Sequence, residues 1–275
     1  MLRDSPERLS IETNTPVSKV SYSPDVDPEY PYAVTTSRGI VRARRVLHCT
    51  NAYASHLLPR LAGGIYPFRG TMSVQKPGPE LKNLGACRSW SLSHKSKLEV
   101  ETGFYDTGLY YLQQNALTGH IWIGNESAYL KDILTADDTY VPDEAKEFLS
   151  TVLPGFFLKG WGGEEKSEVE AIWSGIQGHT ADGLPIVGRV PQSITGEPGD
   201  TGQWIAAGFN GYGMDKCWLT GEALAKMIMG EDVSDWFPQC YTLTERRLQQ
   251  TLTANKTVLK FAKIALPDGA KTAKI

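Results

Sequence analysis

The stretch QWIAAGFNGYGMDKCWLTGEALAKMIMG, residues 203–230, has three parts that indicate how the chain folds. A short apolar run predicts a buried strand, and Gly208, Gly211 and Gly213 predict a tight turn after it. The residues after this turn show helical spacing up to Gly230, which predicts a helix that ends at that glycine. The predicted apolar face of the helix consists of Met214, Cys217, Trp218, Gly221, Leu224 and Ile228.

The glycines of this turn have two interpretations. Without side chains they let the backbone approach a ligand closely, and the following helix directs its unpaired N–H groups and positive dipole end to the same point. An anionic or electron-rich ring atom would be stabilised there. Alternatively, the glycines serve only to pack a tight turn between a strand and a helix. The turn alone does not distinguish these interpretations.

Elsewhere the sequence predicts a protein rich in β-strands. Alternation of apolar and polar residues, interrupted by Pro16, predicts an edge or bulged strand within residues 9–23. A hairpin turned at residues 37–39 and a strand at residues 45–49 follow. The middle of the chain predicts an antiparallel sheet, with a strand in residues 65–79 and two strands within residues 108–127 joined near Gly119.

Three segments outside the glycine turn complete the expected secondary structure. Residues 143–155 predict a short amphipathic helix that stops at Pro154. Residues 169–191 predict a strand, a loop and a second short strand. Residues 244–265 predict a further helix, interrupted near Asn255.

Composition excludes several classes of protein. The chain has 275 residues, is 41% hydrophobic and 21% charged, and carries 28 basic against 31 acidic residues, which is typical of a globular protein. A net charge of −3 without a basic stripe argues against a nucleic-acid partner. We find no run of about 18 apolar residues for a membrane span and no signal-peptide pattern, so we expect a cytoplasmic protein. The last residues, 273–275, loosely resemble a peroxisomal address, which is the second interpretation.

Motifs of several enzyme classes are absent from the sequence. There is no His-Glu-x-x-His, no Gly-x-Ser-x-Gly, no phosphate-binding loop and no Gly-x-Gly-x-x-Gly. The five histidines are scattered and the four cysteines form no Cys-x-x-Cys pair, so we expect no metal site and mostly buried thiols. These absences exclude zincin, α/β-hydrolase and P-loop mechanisms.

Three segments taken together resemble a known family. VRARRVLHCTNAYA (residues 41–54), SGIQGHTADGLPIVGR (residues 174–189) and AAGFNGYGMDKCWLTGEALAKMIMG (residues 206–230) occur in the order and spacing of the D-amino-acid oxidase-like (DAO) family of FAD-dependent oxidoreductases. The Asp-Gly-Leu-Pro-x-x-Gly run and the glycine turn carry most of the resemblance. Trp-Phe-Pro at residues 236–238 is most similar to the fungal members.

The resemblance implies positions for the cofactor and the substrate. Val17 matches a backbone contact to the adenine of FAD, and Gly175 matches the strand end that reaches the flavin. The remaining implied FAD contacts are Thr50, Asn51 and Ala52 beside the dinucleotide, and Phe209, Gly211, Tyr212, Gly213 and Met214 around the ring. Gln177 matches a substrate contact, and Tyr110 and Tyr111 are candidates for the substrate face. The alternative for both tyrosines is ordinary packing between strands.

Two departures from the family pattern shape the expected function. Amino-acid oxidases of the family have an arginine at the position of Gln177, and glutamine cannot make the same charged, two-pronged contact with a carboxylate. We therefore do not expect a simple α-amino acid as substrate. The family's N-terminal strand, Gly-x-Gly-x-x-Gly turn and helix, which hold the FAD diphosphate, have no counterpart here. A shortened protein, a separate chain that supplies this segment, or loss of redox activity would each account for this.

The resemblance implies an α/β fold with an incomplete FAD-binding domain of the glutathione-reductase type and an inserted antiparallel substrate domain. We expect the FAD-binding domain in residues 1–60 and 166–275, and the substrate domain in residues 61–165. The implied function is oxidation of an amine or related C–N or C–H bond of a small metabolite by hydride transfer to the flavin. No protein residue is expected to be catalytic itself. The alternative is a cofactor-free remnant that acts as a binding or assembly partner or is inactive.

Overall fold

The structure, a computed structural model, describes residues 8–199 and 202–265. Within these ranges the chain forms fourteen strands and seven α-helices. The strands are β1 (Val17–Tyr22), β2 (Tyr32–Thr36), β3 (Gly39–Ala43), β4 (Val46–His48), β5 (Ile65–Gln75), β6 (Ser89–Ser93), β7 (Lys97–Glu99), β8 (Phe104–Asp106), β9 (Leu109–Gln114), β10 (Ile121–Asn125), β11 (Ala128–Tyr129), β12 (Val169–Thr180), β13 (Ile186–Arg189) and β14 (Gln203–Ala207). The helices are α1 (Ala54–Leu57), α2 (Leu130–Ile133), α3 (Asp143–Phe156), α4 (Gln192–Thr195), α5 (Cys217–Met229), α6 (Glu245–Gln250) and α7 (Ala254–Ala265).

The first three strands form a small antiparallel sheet in the order β1-β2-β3. The pairing of β1 with β2 shifts between Val17 and Lys19, so the predicted bulged edge strand is confirmed. The predicted hairpin is confirmed as well, because Thr36 pairs with Gly39 at its turn.

The middle of the chain forms a five-stranded antiparallel sheet in the order β12-β5-β10-β9-β6. β5 and β12 pair from Ile65 and Thr180 at one end to Gln75 and Val169 at the other. Helix α3 covers one face of this sheet with Leu149 and Leu153, which are fully buried against Ile123. Each such leucine stabilises the fold by roughly 2 kcal/mol. A small sheet, β11-β8-β7, lies beside it.

The last sheet contains the strand that precedes the glycine turn. Its order is β13-β14-β4, and β14 runs parallel to β4. Helix α5 packs on it through Ala223 and Leu224, which contact Trp204 and Ala206 of β14. Several sheets combined with helices confirm a mixed α/β fold.

Two predictions about this part of the chain were wrong. Helix α5 begins at Cys217, because the carbonyl of Gly213 accepts hydrogen bonds from the amides of Lys216 and Cys217 in a turn. The helix buries Thr220, Ala223 and Leu224, whereas two members of the predicted apolar face, Met214 and Trp218, are 98% and 82% exposed. The expectation of buried thiols was also wrong, because Cys49, Cys87, Cys217 and Cys240 are exposed.

Helix α6 is attached to the loop after β12 by an ion pair between the buried Arg247 and the partly buried Asp182. The guanidinium of Arg247 on α6 donates from Nε and Nη2 to the two carboxylate oxygens of Asp182, at 2.9 and 3.0 Å. It also donates to the carbonyls of Leu184, Pro185 and Tyr241. The predicted interruption of the last helix is confirmed, since α6 ends at Gln250 and α7 starts at Ala254.

The domain boundaries remain a prediction. Residues 60/61 and 165/166 fall shortly before β5 and β12, the two longest strands of the five-stranded sheet. Among the residues that the structure describes, no helix has the length and apolar character needed to cross a membrane. The predicted peroxisomal signal at residues 273–275 lies outside the described residues.

Candidate functional site

Three segments that are distant in the sequence meet at the end of β14. They are the 3-10 turn Asn51–Tyr53 after β4, the end of β12 and the glycine turn at residues 208–213. The side chain of Asn51 joins two of them, because its Oδ1 accepts hydrogen bonds from the amides of Gly208 (2.9 Å) and Phe209 (3.3 Å). Gly178 permits the third contact, since a Cβ there would lie 2.5 Å from Asn51 Oδ1.

The glycine turn is held in its shape by backbone conformation and by Asn210. Gly208 and Gly211 have φ of +73° and +83°, a region that glycine enters without steric cost, and Asn210 has φ of +55°. Asn210 accepts a hydrogen bond from the amide of Thr180 through Oδ1 and donates to the carbonyl of Gly208 through Nδ2. The turn is therefore fixed by bonds on its inner side.

The outer side of the turn is open. A Cβ at Gly213 would contact only Phe209, at 3.7 Å, and Tyr212 and Met214 are 60% and 98% exposed. Packing within the chain explains why residue 208 is a glycine, because a Cβ there would lie 2.4 Å from Thr180 Cγ2. Packing does not explain the glycine at residue 213, so close approach of a ligand is the better explanation there.

A polar cluster lies next to the turn, centred on Gln177 of β12. Gln177 Nε2 donates to Glu126 Oε1 at 3.0 Å, and Gln177 Oε1 lies 3.1 Å from His179 Nε2. Gly211 approaches closely, because a Cβ there would lie 2.8 Å from Gln177 Oε1. Gly70 lies on the other side, where a Cβ would be 3.0 Å from Gln177 Nε2 and 3.6 Å from the hydroxyl of Tyr111.

Burial sets the charges in this cluster. It lowers the pKa of His179 to about 4, with a smaller contribution from the charge of Lys260. The pKa of the Tyr111 hydroxyl is raised by burial and by the nearby Glu126. Burial also raises the pKa of the Glu126 carboxyl, although the hydrogen bond from Gln177 opposes this. At neutral pH the cluster thus holds a neutral imidazole, a protonated phenol and one carboxyl group.

The structure brings most of the predicted site residues together. Phe209, Gly211, Tyr212, Gly213 and Met214 form the turn, and Thr50, Asn51 and Ala52 lie directly behind it. Gly175, Gln177 and Tyr111 lie on the adjoining face of the five-stranded sheet. Val17 lies apart from them, in the sheet β1-β2-β3, so its predicted adenine contact stays a prediction.

The two tyrosine candidates point to opposite faces of the sheet. Tyr110 is 2% exposed and packs its ring against Phe148 and Phe156 of α3, so the alternative of ordinary packing describes it. Tyr111 is on the face that carries Gln177. Only Tyr111 therefore fits the predicted substrate face.

The residues present fit one part of FAD. The open outer side of the turn leaves the backbone of residues 211–213 accessible to a flat ring, and nothing lies within 4 Å of a Cβ at Gly175. The start of α5 follows the turn, so its dipole favours negative charge there. For the diphosphate of FAD the sequence contains no Gly-x-Gly-x-x-Gly, so these residues account for the flavin end alone.

Two members of the cluster were missed by the sequence analysis. Glu126 follows β10 and belongs to no motif that stands out in the sequence, whereas His179, near the end of β12, lies within the quoted segment 174–189 but was given no role there. The signal that could have found His179 is its position two residues after Gln177, on the same face of a strand. Glu126 is 51 residues from Gln177, and only the pairing of both their strands with β5 brings them together.

Residues 8–227 match the family model described as DAO, FAD dependent oxidoreductase. No curated protein gave a significant match. Among solved structures, glycine oxidase from Geobacillus kaustophilus is 22% identical with a TM-score of 0.59, and the match covers 84% of this chain and 52% of that one.

Two further solved structures share the fold. L-proline dehydrogenase from P. horikoshii is 20% identical with a TM-score of 0.52, covering 80% of this chain and 50% of that one. Fructosyl amine: oxygen oxidoreductase (Amadoriase I) from Aspergillus fumigatus is 12% identical with a TM-score of 0.54, covering 87% and 51%. The chain spans about half the length of these structures. Because the family model matches most of the chain, the protein belongs to the DAO family of FAD-dependent oxidoreductases.

Proposed function

We propose that this protein forms the flavin end and the substrate side of an FAD-dependent oxidoreductase that oxidises the C–N bond of a small amine. The observation that carries the proposal is the open glycine turn at residues 208–213, set directly against the polar cluster around Gln177. Family membership supports the cofactor. Glycine oxidase and fructosyl amine oxidoreductase share the fold and are named for amines, which supports the kind of substrate.

FAD, when bound, supplies the two-electron oxidation, and the protein supplies position and electrostatics. The backbone of Gly211 and Gly213 would contact the flavin ring, with Asn51 fixing the turn from behind through the amides of Gly208 and Phe209. Positive potential from the start of α5 would stabilise negative charge on the ring. Gln177 and the Tyr111 hydroxyl, on the facing sheet, would orient the substrate by hydrogen bonds.

For the diphosphate of FAD the sequence shows no Gly-x-Gly-x-x-Gly turn. We propose that a dinucleotide-binding segment comes from elsewhere, either from a longer form of this polypeptide or from a separate chain. Strand β4 supports this, because β14 is its single partner among the described strands and its Leu47 is 48% exposed. An open edge of this kind can pair with a further strand.

The finer features of the proposal follow the resemblance to fungal members of the family. They are a truncated form of a fungal enzyme, a substrate from secondary metabolism and a cytoplasmic location. Sequencing of the transcript upstream of the codon for Met1 tests the first of them. An in-frame Gly-x-Gly-x-x-Gly coding stretch supports a longer enzyme, and its absence supports a separate chain.

The visible absorbance spectrum of the purified chain tests cofactor binding. It is recorded before and after incubation with FAD and gel filtration. We expect flavin bands that stay with the protein, at least when the dinucleotide-binding segment of a related oxidase is added as a separate polypeptide. A protein that is colourless under both conditions would contradict the proposal and favour a cofactor-free binding or assembly partner.

A further inference from the structure

Glu126 is a partly buried carboxyl group without a cationic partner among the described residues. Its only hydrogen bond among the described residues comes from Gln177 Nε2, and no lysine or arginine of these residues forms an ion pair with it. Gln177 donates to Glu126 through Nε2, while its Oε1 lies opposite His179 Nε2. A buried carboxylate is costly unless further donors or a positive charge compensate it.

The space beside Glu126 lies over two glycines, Gly70 and Gly175, which we call its floor. Gly70 on β5 and Gly175 on β12 pair directly across the two strands. A Cβ at Gly175 would have no atom within 4 Å, so the space above it is open. Gln177 and Tyr111 border this floor with an amide and a hydroxyl, at 3.0 and 3.6 Å from the Cβ position of Gly70. A ligand on the floor would thus reach Glu126 and the glycine turn together.

This arrangement favours a cation and disfavours an anion. A carboxylate placed on the floor would be repelled by the ionised form of Glu126, and neither Gln177 nor the neutral His179 offers it a positive charge. Lys260, whose charge acts on His179, donates its ammonium to the hydroxyl of Tyr66. An ammonium group would donate to the carboxylate of Glu126 in a charge-assisted hydrogen bond. The ammonium would also compensate the buried charge.

We propose that Glu126 anchors the protonated amino group of the substrate, and that the substrate is a primary or secondary amine without a carboxylate. The inference rests on the proposed function, since it assigns a substrate class to that site. Gln177 is the positioning residue, because it holds the Glu126 carboxylate from one side and faces the glycine turn from the other.

Calorimetry with three ligands that share a phenylethyl group tests the substrate class. Phenethylamine carries an ammonium alone, hydrocinnamate a carboxylate alone, and phenylalanine both. We expect the 275-residue chain, with and without FAD, to bind phenethylamine at least about tenfold more tightly than phenylalanine and not to bind hydrocinnamate at millimolar concentrations. Equal binding of phenylalanine, or no binding of phenethylamine in either form, would overturn the proposal.

Matched variants test the residue. Glu126→Gln keeps the size of the side chain and an acceptor for Gln177, and we expect it to weaken phenethylamine binding at least about tenfold. Glu165→Gln, at an exposed glutamate, is the control and should leave it unchanged. Should Glu126→Gln fail to fold, Gln177→Arg gives the same test, because a guanidinium beside Glu126 neutralises the anchor. Unchanged affinity in the folded variant overturns the proposal.

Measuring amine binding and flavin reduction separately distinguishes a failure of this inference from a failure of the proposed function. Selective, Glu126-dependent binding of phenethylamine without bleaching of bound flavin by any amine under anaerobic conditions would contradict the oxidase function and leave the amine site intact. Bleaching by amino acids as fast as by amines, together with affinity insensitive to Glu126→Gln, would contradict the inference and leave the oxidase function intact.

Discussion

The five-stranded sheet and the sheet β13-β14-β4 differ in how completely the described residues pair and cover them. β5 has a partner on both sides, and Ile123 of the neighbouring β10 is fully buried under α3. β4 has three residues and one described partner, and its Leu47 is 48% exposed. The sheet that carries the substrate side has a core of its own, whereas the sheet behind the glycine turn offers an edge.

This difference explains how one chain can carry half of a site. The polar cluster around Gln177 is built on β5, β10 and β12, which are strands of the well-covered sheet. The glycine turn extends from the less covered sheet and is fastened to β12 by Asn51, Gly178 and Asn210. We therefore expect the substrate side to keep its geometry without FAD, and the stability of the turn to depend on its attachment to β12.

The largest expected effect concerns the ion pair that attaches helix α6 to the loop after β12. Arg247→Met leaves the partly buried Asp182 without its cation and frees three carbonyls, so we expect a loss of about 3–5 kcal/mol in the free energy of unfolding. Urea denaturation followed by circular dichroism measures it. Arg246→Met, at the exposed neighbouring arginine, is the control. A loss equal to that of the control would mean that the ion pair does not stabilise the attachment of α6 to this loop.

The second prediction concerns pH and the substrate side. The pKa of His179 in the folded protein is about 4, below its unfolded value of about 6.5, so the unfolded chain binds more protons between these values. Stability therefore falls as pH drops from about 6.5 to 4, by up to about 3 kcal/mol from this residue. The free energy of unfolding, measured at several pH values, should fall less steeply in His179→Gln. His56→Gln, at an exposed histidine, is the matched control.

The third prediction separates crowding from backbone strain at the turn. Gly208→Val combines a positive φ with a Cβ that would lie 2.4 Å from Thr180 Cγ2, whereas Gly230→Val has a positive φ and open space. We expect Gly208→Val to cost about 2 kcal/mol more than Gly230→Val, because a close contact adds to the strain. Thermal denaturation of both variants measures the difference. Equal losses would show that the turn is not packed against β12.

Local patterns predicted most of the fold. The bulge near Val17, the hairpin at Gly39 and the interruption before α7 follow from glycine, proline and periodicity, which act within a few residues. The buried face of α5 was predicted only in part, since Leu224 and Ile228 pack against the sheet as predicted. Met214 and Trp218 are exposed, because the helix starts three residues after Met214 and the sheet beneath it covers the side with Ala223. Periodicity shows that an apolar face exists, but the neighbouring element decides which side is covered.

The candidate site was only partly predictable for a related reason. The glycine turn is contiguous in the sequence and was found through its pattern. Glu126 and Gln177 meet only because their strands both pair with β5, and the sequence does not state the order of strands in the sheet. Resemblance to the family supplied Gln177, whereas the partner of its amide required the structure.

The last prediction, Gly213→Val, combines the smallest expected change in stability with a direct test of whether flavin binds at the glycine turn. A Cβ at Gly213 would contact only Phe209, at 3.7 Å, and φ there is not positive, so we expect Gly213→Val to change the free energy of unfolding by less than about 1 kcal/mol. The same substitution at Gly221 of α5, where nothing lies within 4 Å, is the matched control. If a flavin ring lies on the turn, the branched side chain at residue 213 blocks its approach, and flavin retained through gel filtration should disappear in Gly213→Val and persist in Gly221→Val. Equal flavin content in the two variants would place the ring elsewhere and leave Gly213 without a function, because no contact within the described protein requires a glycine there.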